Sequence, residues 1–221
     1  HPVQFSVKEW GEAQASEAYV IFPEAWLLTF MSALQAPRAV RYLTKRSVPE
    51  EVIRALDLRY DTEKDTICFP IRDFQGVLCG LRGRRIQPTD DAPRYHMYGN
   101  HKGERNTQVW YGESWLDFDQ PVVIVESVFD LASVYRVYQN VCAPLSVSFS
   151  EPRAKRLKQA TEIYTLFDND EAGNGARQRI SRYLPKTRIR HLYLPDGIKD
   201  PGECSEDELC ALLKGSVRVA A

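Results

Sequence analysis

Cysteine is scarce and scattered in this chain: among 221 residues there are five, Cys68, Cys79, Cys142, Cys204 and Cys210, and no two form a Cys-x-x-Cys pair. An odd, dispersed set argues against a disulfide framework and supplies no zinc site, so no zinc is expected in this chain and a reducing cytosol is its expected home. No apolar run approaches the roughly 18 residues of a membrane span, and no signal peptide opens the sequence. Net charge is nearly absent as well. With 29 Lys and Arg against 30 Asp and Glu, the formal charge is -1, which excludes a global positive field for gathering nucleic acid and leaves only a local basic face. There are no internal repeats or low-complexity tracts. The first residue is His1 rather than Met, so the sequence reads as part or product of something longer. What is present is a 43% hydrophobic composition, sufficient for one large domain or two compact ones.

The pattern changes near residue 118. Upstream, helices are expected over 23–34 and 37–43, and SVPEEVIRAL continues with Ser47 as N-cap and Glu50 completing a capping-box spacing. TICFPI and GVLCGLRGRRI read as strands joined by a hairpin at RDFQG, and QPTDDAPRYHMYGNHKGERN reads as a long loop. From residue 121 strands and helices alternate: PVVIVE, VCAPL, EIYTLF and RIRHLYL as strands, with helical patterns over 128–138, 151–160 and 172–184. A last helix starts at Ser205, where Ser-Glu-Asp-Glu has capping-box form. The expectation is an α/β chain: a small parallel sheet flanked by helices over 118–221, preceded by a mixed α/β N-terminal subdomain over 1–117.

In such a sheet, ligands bind beyond the carboxyl ends of the strands. Glu126 ends VVIV, Asp168 and Asp170 follow EIYTLF, and Asp200 follows RIRHLYL. Carboxylates crowded at one edge repel unless a cation sits among them. Mg²⁺ suits that role, because it is held by one or two carboxylates plus substrate phosphates and waters; Mn²⁺ is the alternative ion. An isolated Asp-x-Asp is more often a solvated turn, roughly three times in four. The order of three motifs changes the weighing: V-E-S-x-x-D, then F-D-N-D-E-A-G, then L-P-D-G-x-x-D-P.

That ordered set resembles the TOPRIM domain shared by topoisomerases, bacterial-type primases and some nucleases, over residues 120–205. The resemblance implies that Glu126 is an essential acid or metal ligand, that Asp168 and Asp170 coordinate Mg²⁺, and that Asp130 and Asp200 hold accessory acidic positions. Ser127 departs from the family's usual glycine. Gly202 departs from an aspartate usual in primases, with Glu203 as a substitute. Upstream, YLTKRSVPEEVIRALDLRY, FPIRDFQGVLCGLRGRRI and PRYHMYGN are similar to the N-terminal part of the catalytic domain of DnaG-type primases. That similarity implies synthesis of short RNA primers from NTPs on a single-stranded DNA template, in the cytoplasm of a bacterial or phage-infected cell. A replicative helicase and a zinc-ribbon module outside this chain are the partners it implies. Arg84 matches an arginine after Gly-Gly, Arg94 stands where the family has lysine, and both Lys102 and Arg105 match a further lysine before Tyr111-Gly112. Two alternatives stand beside this reading: a TOPRIM nuclease using the same metal with water as nucleophile, and a catalytically inactive nucleic-acid-binding relative.

The residues support a basic face independently. Between positions 82 and 105 the chain carries Arg82, Arg84, Arg85, Arg94, Lys102 and Arg105 against Asp90, Asp91 and Glu104, a stretch that attracts phosphates. On a strand, Arg82 and Arg84 share a face and Arg85 takes the other. Tyr95, Tyr98 and Trp110 are offered to base stacking with the smaller share and to the core with the larger. The set Arg153, Lys155, Arg156 and Lys158 reads as an ordinary solvated helix face.

Overall fold

The computed structural model describes residues 21–89, 91–98, 108–145 and 150–214. The N-terminal half is built on one antiparallel sheet in sequence order: β1 (Met31–Ser32), β2 (Arg59–Asp61), β3 (Thr66–Arg72), β4 (Leu78–Arg85) and β5 (Tyr95–Tyr98). Around it lie α1 (Glu24–Leu27), α2 (Pro37–Thr44) and α3 (Glu50–Ala55). The β3–β4 turn forms as the sequence suggests: the Asp73 carboxylate accepts from the amides of Gln75 at 2.9 Å and Val77 at 3.0 Å, and Gly76 adopts φ 78°, a conformation open to glycine at little cost.

Three expectations are overturned here. The helix expected over 23–34 is a single turn followed by β1 and a 3₁₀ turn, Ala33–Gln35. Ser47 does not cap α3, whose N-cap is Pro49; it has φ 56° and closes α2 instead. The amide of Val48 reaches back to the Leu43 carbonyl at 3.1 Å, the bond that ends a helix through a left-handed residue. Finally, part of the expected long loop is β5, paired with β4 through Leu81↔Tyr98 and Arg84↔Tyr95.

The second half is a parallel sheet of order β7-β6-β8-β9: β6 (Val122–Ile124), β7 (Val141–Cys142), β8 (Glu162–Leu166) and β9 (Arg188–Leu192). Between and after the strands run α4 (Val128–Tyr135), α5 (Glu151–Lys155), α6 (Glu171–Tyr183) and α7 (Glu206–Lys214). Ser205 and Glu208 form the expected capping box, with Ser205 N donating to Glu208 Oε2 at 2.8 Å and Glu208 N to Ser205 Oγ at 3.2 Å.

Helices on both faces explain why VVIV has no polar alternation. Val123 and Val125 pack into the core shared with the antiparallel sheet, and Val122 and Ile124 pack into the opposite one with Trp110, Leu157 and Ile180. The two sheets meet at aromatic contacts. Phe69 of β3 is 5.5 Å from Phe129 and 5.8 Å from Tyr111, both edge-to-face, and each such pair adds about 0.5–1.5 kcal/mol to simple burial. This junction fixes β4 beside the start of α4, which is where the candidate site lies.

Candidate active site

Each acidic residue is placed by a strand end and the helix or turn that follows it. β6 stops at Ile124, and Ser127 then begins α4 as its N-cap, its Oγ accepting from Asp130 N at 3.2 Å. The serine that departs from the family glycine therefore has a capping role. Glu126 sits in the bend and its Oε1 accepts from Asp168 N at 3.0 Å, tying the first strand end to the second. Beyond β8, Asp170 caps α6 by accepting from Gly173 N at 2.8 Å. Gly173 permits the close approach: a Cβ there would lie 2.3 Å from the Asp168 carbonyl oxygen and 2.9 Å from Glu126 Oε1.

Asn169, between the two aspartates, holds the third strand end. Its Nδ2 donates to Leu194 O at 3.0 Å and its amide to Lys199 O at 3.4 Å. Asp200 then caps the 3₁₀ turn Pro201–Glu203, accepting from Gly202 N at 2.8 Å. Glu203 is exposed, and its Oε2 accepts from Lys199 N at 2.9 Å; that hydrogen bond turns it to the loop backbone.

The carboxylates are close enough to perturb one another. Burial first, then the negative charges of Glu126, Asp200 and Asp170, pushes Asp168 up from 3.8 to about 7, with Arg177 opposing. Burial likewise raises Asp130 to about 7, with Asp168 and Asp200 adding to it and a Ser127 hydrogen bond countering. Glu126 is raised mainly by burial. Asp168 Oδ1 is buried and has no hydrogen-bond partner among the described residues, an arrangement that needs an explanation in a folded protein.

These features fit a divalent ion of the kind Mg²⁺ is, which takes one or two carboxylates and completes its shell with water and phosphate. They do not form a ready-made cage. Among the described residues no three His, Cys, Asp or Glu side chains converge as a ligand set. Glu126, Asp170 and Asp200 each spend one oxygen on a backbone amide. The acids perturb one another at one edge of the sheet, with Asp168 holding the orphaned acceptor.

A basic set packs around Phe129, in the first turn of α4. Arg84, 8% exposed, lies with its guanidinium 4.7 Å from the Tyr95 ring centroid and 5.7 Å from Phe129, and donates to Tyr42 Oη at 3.2 Å. Arg82 stacks on the other part of Tyr95 at 5.1 Å, so the two share a face as strand periodicity requires. Arg46 stands 4.7 Å from Phe129 and 5.1 Å from Tyr42. Arg46 and Arg84 thus bracket Phe129, the neighbour of Asp130 at the N-terminus of α4. Neither forms an ion pair with a described residue. Arg94 is exposed beside β5, and Lys102 and Arg105 lie outside the described residues.

Comparison with known proteins bears on the fold. Residues 123–205 match the family model described as Toprim-like. A DNA primase from Pseudomonas aeruginosa is 33% identical over 155 residues, which is 65% of this chain and 23% of that protein. The chain thus spans about a quarter of that relative's length. The Aquifex aeolicus primase structure containing zinc-binding and RNA polymerase domains superposes with TM-score 0.71 at 24% identity, covering 83% of this chain and 57% of that one. A DnaG primase catalytic domain bound to ssDNA superposes with TM-score 0.70 at 21% identity, over 88% of this chain and 77% of that one. The chain has the fold of these primase cores, and its residues 123–205 are Toprim-like.

Several parts of this site and its surroundings escape a reading from sequence. Arg46 is one; its signal is the i, i+4 spacing from Tyr42 at the end of α2. Asn169 is another, since an amide between two aspartates looks like part of a turn until its partners are known. The basic set at 153–158 is corrected in part: Lys155 and Lys158 are exposed as expected, and Arg153 and Arg156 are not. Arg153 is 1% exposed, and Arg156 pairs with the buried carboxylate of Glu113, because Trp110 and the 3₁₀ turn Glu113–Trp115 pack on α5. Tyr98 and Trp110 are buried, with Tyr98 Oη donating to Asp61 at 2.6 Å and Trp110 Nε1 to Arg153 O at 2.9 Å; both serve the core. No helix among the described residues is long and apolar enough to cross a membrane.

Proposed function

We propose that this chain joins ribonucleotides on a single-stranded DNA template as the catalytic core of a primase, with residues 1–117 handling nucleotide and template and 118–221 the acidic edge. The observation that carries this reading is Phe129. Its ring is bracketed by the guanidiniums of Arg46 and Arg84, and it lies in the first turn of α4 with Asp130, three residues after Glu126. Cationic and acidic side chains thus both adjoin the start of α4, which supports a site for nucleotidyl transfer, where charge on the reacting phosphate is neutralised from two sides.

Asp168, with Glu126, Asp170 and Asp200, would hold Mg²⁺ or Mn²⁺. Bound there, the ion supplies Lewis acidity at the α-phosphate and neutralises the leaving pyrophosphate. The residues of the chain do the rest. Arg84 and Arg46 seat the triphosphate, Arg82 and the exposed Arg94 contact template phosphates, and Glu126 accepts the proton of the attacking 3′-hydroxyl. Burial holds the Glu126 carboxyl above its usual range, nearer the operating pH of a useful general base. In this reading a replicative helicase and a zinc-ribbon start-site reader are its working partners.

The test is incorporation of radiolabelled NTPs on single-stranded DNA with Mg²⁺, run beside a cleavage assay without NTPs. Template-dependent products lost in Asp168→Ala support the proposal. Strand cleavage without synthesis would replace it with a nuclease, and binding without either reaction with an inactive relative.

A further inference from the structure

α6 carries an arginine whose placement the reaction outlined above does not use. Arg177 is 3% exposed, which is rare for an arginine unless it is paired. Among the described residues it forms no ion pair with Asp or Glu. Its guanidinium is spent on the backbone beyond β8 instead. Nη2 donates to Phe167 O at 2.9 Å, and Nη1 reaches Asp168 O at 3.4 Å and Asn174 Oδ1 at 3.0 Å. The plane is held in position by Tyr193, whose ring centroid is 4.7 Å from the guanidinium carbon.

The two carbonyls it grips belong to the residue before Asp168 and to Asp168 itself. On the other side, the Asp168 amide is held by Glu126. The peptide groups on both sides of the Asp168 Cα are therefore fixed by side chains from two separate elements. That fixes the direction in which the Asp168 carboxylate leaves the chain. A lysine or a neutral donor could not span both carbonyls, whereas the planar fork of an arginine does.

We propose that Arg177 is a positioning residue for the acidic edge, setting divalent-ion affinity by clamping the Phe167 and Asp168 carbonyls; this rests on the metal-site reading above. Two effects of the residue oppose each other: its charge repels an incoming cation, and its hydrogen bonds aim Asp168 at that cation. The aiming is expected to dominate, and the sign of the change in Arg177→Met decides between the two.

The experiment measures Mn²⁺ binding by the protein alone, from the loss of the free-ion signal in electron paramagnetic resonance, for wild type, Arg177→Met, Arg177→Lys and Asp168→Asn. Removing a residue that orients a metal ligand lowers metal affinity about 10-fold, so Arg177→Met should raise the Mn²⁺ dissociation constant by about that factor. Arg177→Lys, which keeps the charge and one donor, should lie between it and wild type. Melting curves accompany each titration, and Arg177→Lys, the milder change, stands in if Arg177→Met does not fold. Wild-type affinity in both variants, with only a lower melting temperature, would reduce Arg177 to a structural role and overturn the inference. Tighter Mn²⁺ binding in Arg177→Met would overturn it too, showing that charge alone acts. If wild type binds no Mn²⁺, or binds it no better than Asp168→Asn, the metal-site reading itself fails and the inference with it.

Discussion

Replacing Asp168 by asparagine should stabilise the metal-free protein while abolishing its response to divalent ions. Burial and three neighbouring carboxylates lift Asp168 from 3.8 to about 7, so ionising it in the folded state is unfavourable. A shift of that size corresponds to about 4 kcal/mol before screening. The site is partly open to water and counterions, which reduces the effect to about 1–2 kcal/mol. Because the folded-state value lies above the unfolded one, the penalty from Asp168 is absent below about pH 4 and grows as pH rises towards 7. Asparagine removes the titration. Without divalent ions and at low salt, Asp168→Asn should therefore melt about 2–8 °C above wild type at pH 8, taking 2–4 °C per kcal/mol for a chain of this size. The gap should close as pH is lowered towards 4. Adding Mg²⁺ at pH 8 should raise the wild-type melting temperature and leave the variant unmoved. Differential scanning fluorimetry across pH measures all of this. A variant that melts below wild type at pH 8, with no pH-dependent gap, would refute the idea of a self-repelling acidic edge.

Gly173→Ala should distort the site without replacing any carboxylate, because its Cβ would meet Asp168 O at 2.3 Å and Glu126 Oε1 at 2.9 Å; Mn²⁺ titration should show weakened binding, and an unchanged affinity would contradict the packing argument. Arg84→Ala and Arg94→Ala should each weaken DNA or nucleotide binding with little change in Mn²⁺ affinity, and removing a cation that neutralises one phosphate should flatten the salt dependence of single-strand binding by about 0.7 in log–log slope. Loss of Mn²⁺ binding with DNA affinity intact would show that these arginines are misplaced. Glu113→Gln breaks the buried pair with Arg156 and should lower stability by about 3 kcal/mol, read from denaturant unfolding, while synthesis at low temperature survives; a stability change within about 0.5 kcal/mol, the size usual for plain surface sites, would mean the pair is not buried in solution.

Much of the acidic edge is legible in the sequence because its logic is local. Glu126, Asp168, Asp170 and Asp200 each follow an apolar strand and precede a helix or turn, and in a parallel sheet that order alone sends them to one edge. Which of them is left to meet a cation is not legible, since that depends on backbone amides from other segments: Asp168 N on Glu126, Gly173 N on Asp170, Gly202 N on Asp200. The basic residues divide in the same way. Arg82 and Arg84 share a face by strand periodicity, whereas Arg46 joins them through Tyr42 and through Phe129, which lies far along the chain. Ser47 shows that a good capping pattern can be overruled when the preceding helix needs a left-handed terminator. Arg153 shows that helix charge patterns mislead where an aromatic segment such as 110–115 lies across the helix.

The most direct test of a divalent-ion site facing a phosphate-binding wall is an anomalous-scattering map from crystals soaked with Mn²⁺ and a nucleoside triphosphate. The expected result is a peak at about 2.1 Å from a carboxylate oxygen of Asp168, shared with at least one of Glu126, Asp170 and Asp200, with the triphosphate extending towards Arg84 and Arg46. A peak that avoids Asp168, or phosphates bound away from both arginines, would contradict the account.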